Sequence, residues 1–131
     1  MSLFVNIYEA DLKMQPRSLP TSVAGRTFDQ KMDLLRLRIL RDTEARAVAM
    51  GYDFMVDKIK TDPKFVEFWQ GPKYIKISKE HSVFVFVEKS TEEIFGAKGW
   101  SQINKHHQYG SLSTMADWNW GDSYPRRMRG R

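Results

Sequence analysis

The run Lys73-Tyr74-Ile75-Lys76-Ile77-Ser78, the polar triplet Lys79-Glu80-His81 and the run Ser82-Val83-Phe84-Val85-Phe86-Val87 follow one another without a break. In the first run, Ile75 and Ile77 alternate with Tyr74 and Lys76. Because side chains on a strand point alternately to opposite faces, this is the pattern of a half-buried strand. The second run is almost continuously apolar and is β-branched or aromatic from Val83 to Val87, as befits a central strand. The triplet between them reads as a turn. Glu88 to Glu93 makes the next turn, and Ile94 to Ala97 supplies a third strand. Together these segments predict a small antiparallel meander of three strands.

Upstream, the pattern changes period. Thr27 and Gln30 form a capping box, in which side chain and backbone satisfy two otherwise unpaired N–H groups. A helix is predicted from Phe28 to Met50, with Gly51 as its left-handed stop. Phe28, Met32, Leu35, Ile39 and Met50 share one face. Leu34, Leu37, Ala45 and Val48 lie on roughly the opposite one. A surface helix needs one apolar stripe. Two stripes imply cover on both sides, by the chain's own sheet and by another helix or a second chain. Tyr52 to Ile59 reads as a second short helix. Asp62-Pro63 reads as the start of a third, carrying Phe65, Val66, Phe68 and Trp69 and stopped by Gly71-Pro72. The fold class expected is α+β: helices packed on a three-stranded antiparallel sheet, preceded by an N-terminal arm and followed by an irregular aromatic segment.

The chain has 131 residues, a single-domain length. The expected division is an extended arm over 1–26, broken by Pro16 and Pro20, an α+β domain over 27–125 and a basic tail over 126–131. There is no cysteine, which removes disulfides, thiolate metal sites and cysteine nucleophiles together. No stretch approaches the roughly 18 apolar residues of a spanning helix, so no membrane partner is expected. Met1 to Ala10 is too short for a secretory signal and has no basic head.

Nothing in the sequence assigns a catalytic residue, a metal ligand or a cofactor. Nucleophile elbows, phosphate loops and dinucleotide fingerprints are absent. His106 and His107 are adjacent, so on a strand they point apart and read as two polar loop residues rather than a metal pair. Asp117 and Asp122 lie among aromatic residues, where desolvation raises a carboxyl pKa. They would matter to catalysis only if they lined a deep pocket.

The net charge of +5 favours polyanionic partners. Nucleic-acid binding needs cations for phosphates and flat rings for unstacked bases. The residues that meet this need are Lys73, Lys76, Lys98, Trp100 and Lys105 in the sheet half, with Arg126, Arg127, Arg129 and Arg131 as a flexible electrostatic hook. The competing reading is that the tryptophans complete the core and the arginines are merely solvated.

The segment 73–100 also resembles small uncharacterised proteins of tailed bacteriophages. The resemblance rests on Lys73, Tyr74, Lys76 and Ile77, then Ser82, Val83, Phe86, Val87 and Lys89, then Ala97 and Trp100. Gly96 stands where that family commonly has lysine, and Glu92 or Glu93 where it has a turn glycine. The resemblance implies phage origin, hence a setting in the host cytoplasm or the virion, and transfers no functional residue. Two functions are expected from these readings. One is a non-enzymatic accessory protein that contacts nucleic acid. The other is a virion or assembly component that docks on copies of itself or on a larger protein.

Overall fold

A computed structural model of the chain describes residues 19–128. Of the expected arm, residues 1–18 lie outside the described residues. Residues 19–26 run irregularly, and Leu19 and Val23 are buried in the hydrophobic core.

Helix α1 spans Phe28–Met50. Its capping box forms as expected: Gln30 N–H donates to Thr27 Oγ1 at 3.2 Å, and Thr27 N–H to Gln30 Oε1 at 2.9 Å. At the other end Gly51, at φ 74°, closes a Schellman motif. There Tyr52 N–H donates to Ala47 O at 2.8 Å and Gly51 N–H to Val48 O at 3.1 Å. The two apolar stripes have distinct fates. Over the middle of α1, Leu34, Leu35, Ile39 and Leu40 are all buried. Two buried arginines hold the chain's own segments against this part of the helix: Arg38 donates to Pro20 O, and Arg36 to Pro63 O at 3.0 Å. At the C-terminal end, Ala45, Val48 and Met50 are exposed. Helix α2, Asp53–Thr61, follows at once.

The sheet has five strands, where the sequence suggested three: β1 Val66–Gln70, β2 Tyr74–Lys79, β3 Ser82–Glu88, β4 Glu93–Gly99 and β5 Gln102–Ser111. They form an antiparallel meander in the order β1-β2-β3-β4-β5.

Two segments account for the difference. The expected third helix is β1. Asp62-Pro63 opens a turn instead, in which Asp62 Oδ1 accepts from Lys64 N–H at 2.9 Å and Asp62 O from Phe65 N–H at 3.1 Å. The short aromatic and β-branched run before Gly71 then pairs with β2, from Val66 opposite Lys79 to Gln70 opposite Ile75. So few residues cannot sustain a helix but suit an edge strand.

The second segment is β5, where sequence regularity fades. Its register jumps from Gly96↔Asn104 to Phe95↔Gln108, leaving Lys105, His106 and His107 without partners in a wide bulge. A polar, bulged edge strand leaves no alternation to detect.

The core lies between α1 and one sheet face, with Leu35, Ile39, Ile77, Val85, Val87 and Ile94 fully or almost fully buried. The C-terminal segment seals it. A 3-10 turn at Leu112–Asp117 buries Leu112 and Met115. Strand β6, Trp118–Asn119, pairs with β7, Arg126–Arg127, in a separate ribbon. Between them Trp120 is completely buried, its indole N–H donating to Met115 O at 3.0 Å and its backbone N–H to Asp42 Oδ2 at 3.0 Å. No helix among the described residues is long and apolar enough to cross a membrane.

Candidate nucleic-acid interface

The sheet face turned away from α1 is built by register. Trp69 on β1 lies opposite Lys76 on β2, Lys76 opposite Phe86 on β3, and Phe86 opposite Phe95 on β4. Strand alternation sends this row away from the core residues Phe68, Ile77 and Val85. Trp100, just beyond β4, reaches back over the row. Its ring meets Trp69 edge-on, with centroids 5.3 Å apart and planes at 76°. The Lys76 ammonium stands 4.0 Å from the Trp100 ring centroid and 6.0 Å from that of Trp69, a cation–π arrangement that fixes a flexible side chain between two rings. Trp69 and Trp100 remain 41% and 44% exposed, so each still offers ring surface to solvent.

Tyr74 extends the patch. It meets Phe86 edge-on at 6.3 Å and carries the Lys73 ammonium 5.6 Å from its ring centroid. Lys105, thrown outward by the β5 bulge, reaches the Tyr74 phenol. The hydrogen bond to Tyr74, with smaller help from Glu88, holds its pKa above the ordinary lysine value. Glu88 is the acid of this neighbourhood and lies 3.8 Å from Lys73. Among the described residues, Lys76 and Lys105 make no ion pair.

The structure therefore brings Lys73, Lys76, Trp100 and Lys105 into one cationic and aromatic surface. Lys98 is exposed on β4, and among the described residues no contact ties it to that group. Arg126 and Arg127 sit in the β6–β7 ribbon. Arg126 is committed to Asp122 at 2.8 Å and stacks 4.8 Å from the Tyr124 centroid. Arg129 and Arg131 lie outside the described residues. The tryptophans divide between the two readings offered by the sequence: Trp120 is sealed in the core, Trp118 is half-buried against Tyr109 at 5.6 Å, and Trp69 and Trp100 face out. Sequence reasoning missed Trp69 because it placed that residue on a helix. Reading the segment before Gly71-Pro72 as a strand would have set Trp69 directly across from Lys76.

The acidic candidates differ from expectation. Asp122 lines a cavity of about 360 Å³, but its carboxyl pKa is lowered, not raised. The Ser123 backbone N–H contributes most to this, followed by the Arg126 guanidinium. Asp122 thus stays ionised and is no proton donor near neutrality. Asp117 lines neither that cavity nor the one beside His106 and His107. The two histidines are exposed in the β5 bulge, not in a loop.

No protein-family model matches the chain, and no curated protein or solved structure matches it either.

Proposed function

We propose that this is a small non-enzymatic accessory protein, of phage origin, that binds nucleic acid on the outer face of its sheet, in the host cytoplasm or the virion. The observation that carries the reading is Lys76 held between the exposed rings of Trp69 and Trp100, with Lys73 and Lys105 alongside. Cations neutralise phosphates, and exposed indoles accept the flat faces of unpaired bases. The mechanism is phosphate neutralisation with base stacking, which favours single strands over duplex. The phage setting rests on the sequence resemblance alone.

Fluorescence anisotropy with labelled single-stranded and duplex oligonucleotides at low salt tests the reading. Single-stranded binding is expected to be the tighter. Trp100→Ala should weaken it by about 1–3 kcal/mol, or roughly 5- to 160-fold. Absence of binding to either probe at low salt discards the proposal.

A second reading, a virion or assembly component, draws on a different surface. Where α1 gives way to α2, Val48, Met50, Tyr52 and Phe54 are 62%, 50%, 51% and 70% exposed. Neighbouring exposed apolar residues of this size suit a protein partner, either a second copy or a larger protein. Sedimentation equilibrium as a strict monomer, with no protein partner recovered from the native cell, counts against it.

A further inference from the structure

The cavity of about 360 Å³ lies between the C-terminal half of α1, helix α2, the tip of the β2–β3 hairpin and the segment after Trp120. Its size is within the range of small-molecule sites. Met55, Phe65, Val83 and Phe84 give it apolar walls, while Lys79 and Arg46 supply nitrogen at its edge.

Lys79 is unlike the other lysines of the described chain. Its Nζ donates to two backbone carbonyls, Trp120 O at 2.9 Å and Asp122 O at 2.7 Å, and it stands 4.0 Å from the Phe84 ring centroid. The charged groups around it are Asp122 and Asp42, which favour its ammonium form, Arg46, which opposes it, and Glu80, which favours it weakly. Burial outweighs them all and lowers its pKa from 10.5 to about 8. About a tenth of Lys79 is therefore uncharged at pH 7, far more than for an ordinary lysine. An uncharged amine has two N–H bonds, and two carbonyls are in place to accept them. The lone pair is then left for a third direction. A desolvated lysine held in this way is an activated nucleophile.

We propose that this cavity receives a small aldehyde or ketone bearing an anionic group, which Lys79 captures as an imine while Arg46 pairs with the anion. The Arg46 side chain is 48% exposed, and its 3.6 Å contact with Asp122 is loose, so it is free to turn toward an incoming charge. In the capture step the Nζ lone pair forms a bond to the carbonyl carbon. The carbonyl π pair moves to oxygen, which takes up the proton that nitrogen gives away. The resulting carbinolamine loses water to leave C=N. Uptake of one proton from solvent by the imine nitrogen then restores one N–H, so one of the two backbone acceptors regains its partner.

Pyridoxal 5′-phosphate, an aldehyde that carries a phosphate, is a suitable probe. The full chain is incubated with it at pH 7.5, reduced with borohydride and mapped by peptide mass spectrometry. Modification at Lys79 should exceed that at exposed lysines such as Lys64 and Lys98 by tens-fold, since an amine of pKa about 8 is uncharged roughly two orders of magnitude more often than an ordinary lysine side chain. Lys79→Arg should abolish the preferred site and leave the surface background. Arg46→Gln should reduce labelling by the phosphate-bearing probe several-fold more than labelling by benzaldehyde, which loses only the push of Arg46 against the Lys79 ammonium. Labelling that follows exposure across the lysines, with Lys79 among the slowest, overturns the proposal. Mapping of the unaltered chain decides this even if the Lys79 variant fails to fold.

Discussion

Burial lowers the Lys79 pKa from 10.5 to about 8, and this displacement is also a statement about stability. Between those two values the unfolded chain binds more protons at this residue than the folded chain does, so stability rises with pH across that window. Below pH 8 the full penalty of burying the ammonium is present, about 3 kcal/mol. Urea denaturation should therefore show the Lys79→Met variant gaining relative to wild type below pH 8, with that gain shrinking toward pH 10. A wild-type-minus-variant difference that stays flat from pH 7.5 to 10 would show an ordinary lysine. Gly121 is constrained differently. A Cβ there would collide with the carbonyl of Asp42 on α1, and the obstacle is backbone that cannot swing aside. Gly121→Ala should cost about 1–3 kcal/mol or more in the same experiment. A cost below 1 kcal/mol would mean that the segment after Trp120 does not lie against the helix.

Among the elements, the β2–β3 hairpin turns on two non-glycine residues in the left-handed region, Glu80 at φ 52° and His81 at φ 65°. Positive φ at both central positions is what a two-residue type I′ turn requires, and Asn-Gly meets that requirement with far less strain. Replacing Glu80-His81 by Asn-Gly should raise stability by about 1 kcal/mol. Its thermal melt would reveal a shift of a few degrees upward, whereas a downward shift would show that the Glu80 and His81 side chains contribute more than their backbone strain costs. The partners at stake are modest: Lys58 at 3.6 Å from Glu80, and Asp62 at 3.5 Å from His81, each pair with at least one side chain more than a third exposed.

For the whole molecule, the distribution of charge matters more than the net +5. On and around the helices, cations are matched with acids: Lys31 with Glu92, Arg46 with Asp122, Lys58 with Glu80 and Lys60 with Glu44. On the outer face of the sheet Lys73 has Glu88 at 3.8 Å, while among the described residues Lys76 and Lys105 make no ion pair. If three lysines there each neutralise one phosphate, log K for a single-stranded oligonucleotide should fall against log salt with a slope of about −2. The pair Lys76→Ala and Lys105→Ala should flatten it by about 1.4, and Lys60→Ala on the helix side should leave it unchanged. Equal effects from both sides would mean that binding follows net charge and not this face.

Local chemistry was legible in the residues themselves. The capping box of Thr27 and Gln30, the Gly51 stop, and the strands around Ile75, Ile77 and Val83 to Val87 all appear where the sequence puts them, because caps and short-period burial are settled within a few residues of chain. The candidate surface was half legible: Lys73, Lys76, Trp100 and Lys105 were identified, but as a string of cations and rings without a common plane. Long-range pairing decided the rest. Only the backbone of β2 makes a strand of Val66 to Gln70 and sets Trp69 across from Lys76. Only the bulged edge of β4 organises the polar run from Gln102 to Ser111 and throws Lys105 toward Tyr74. The same holds for Lys79, whose two carbonyl acceptors lie more than forty positions further along the chain. Its altered proton affinity comes from desolvation by distant segments, a property that no local stretch of residues encodes.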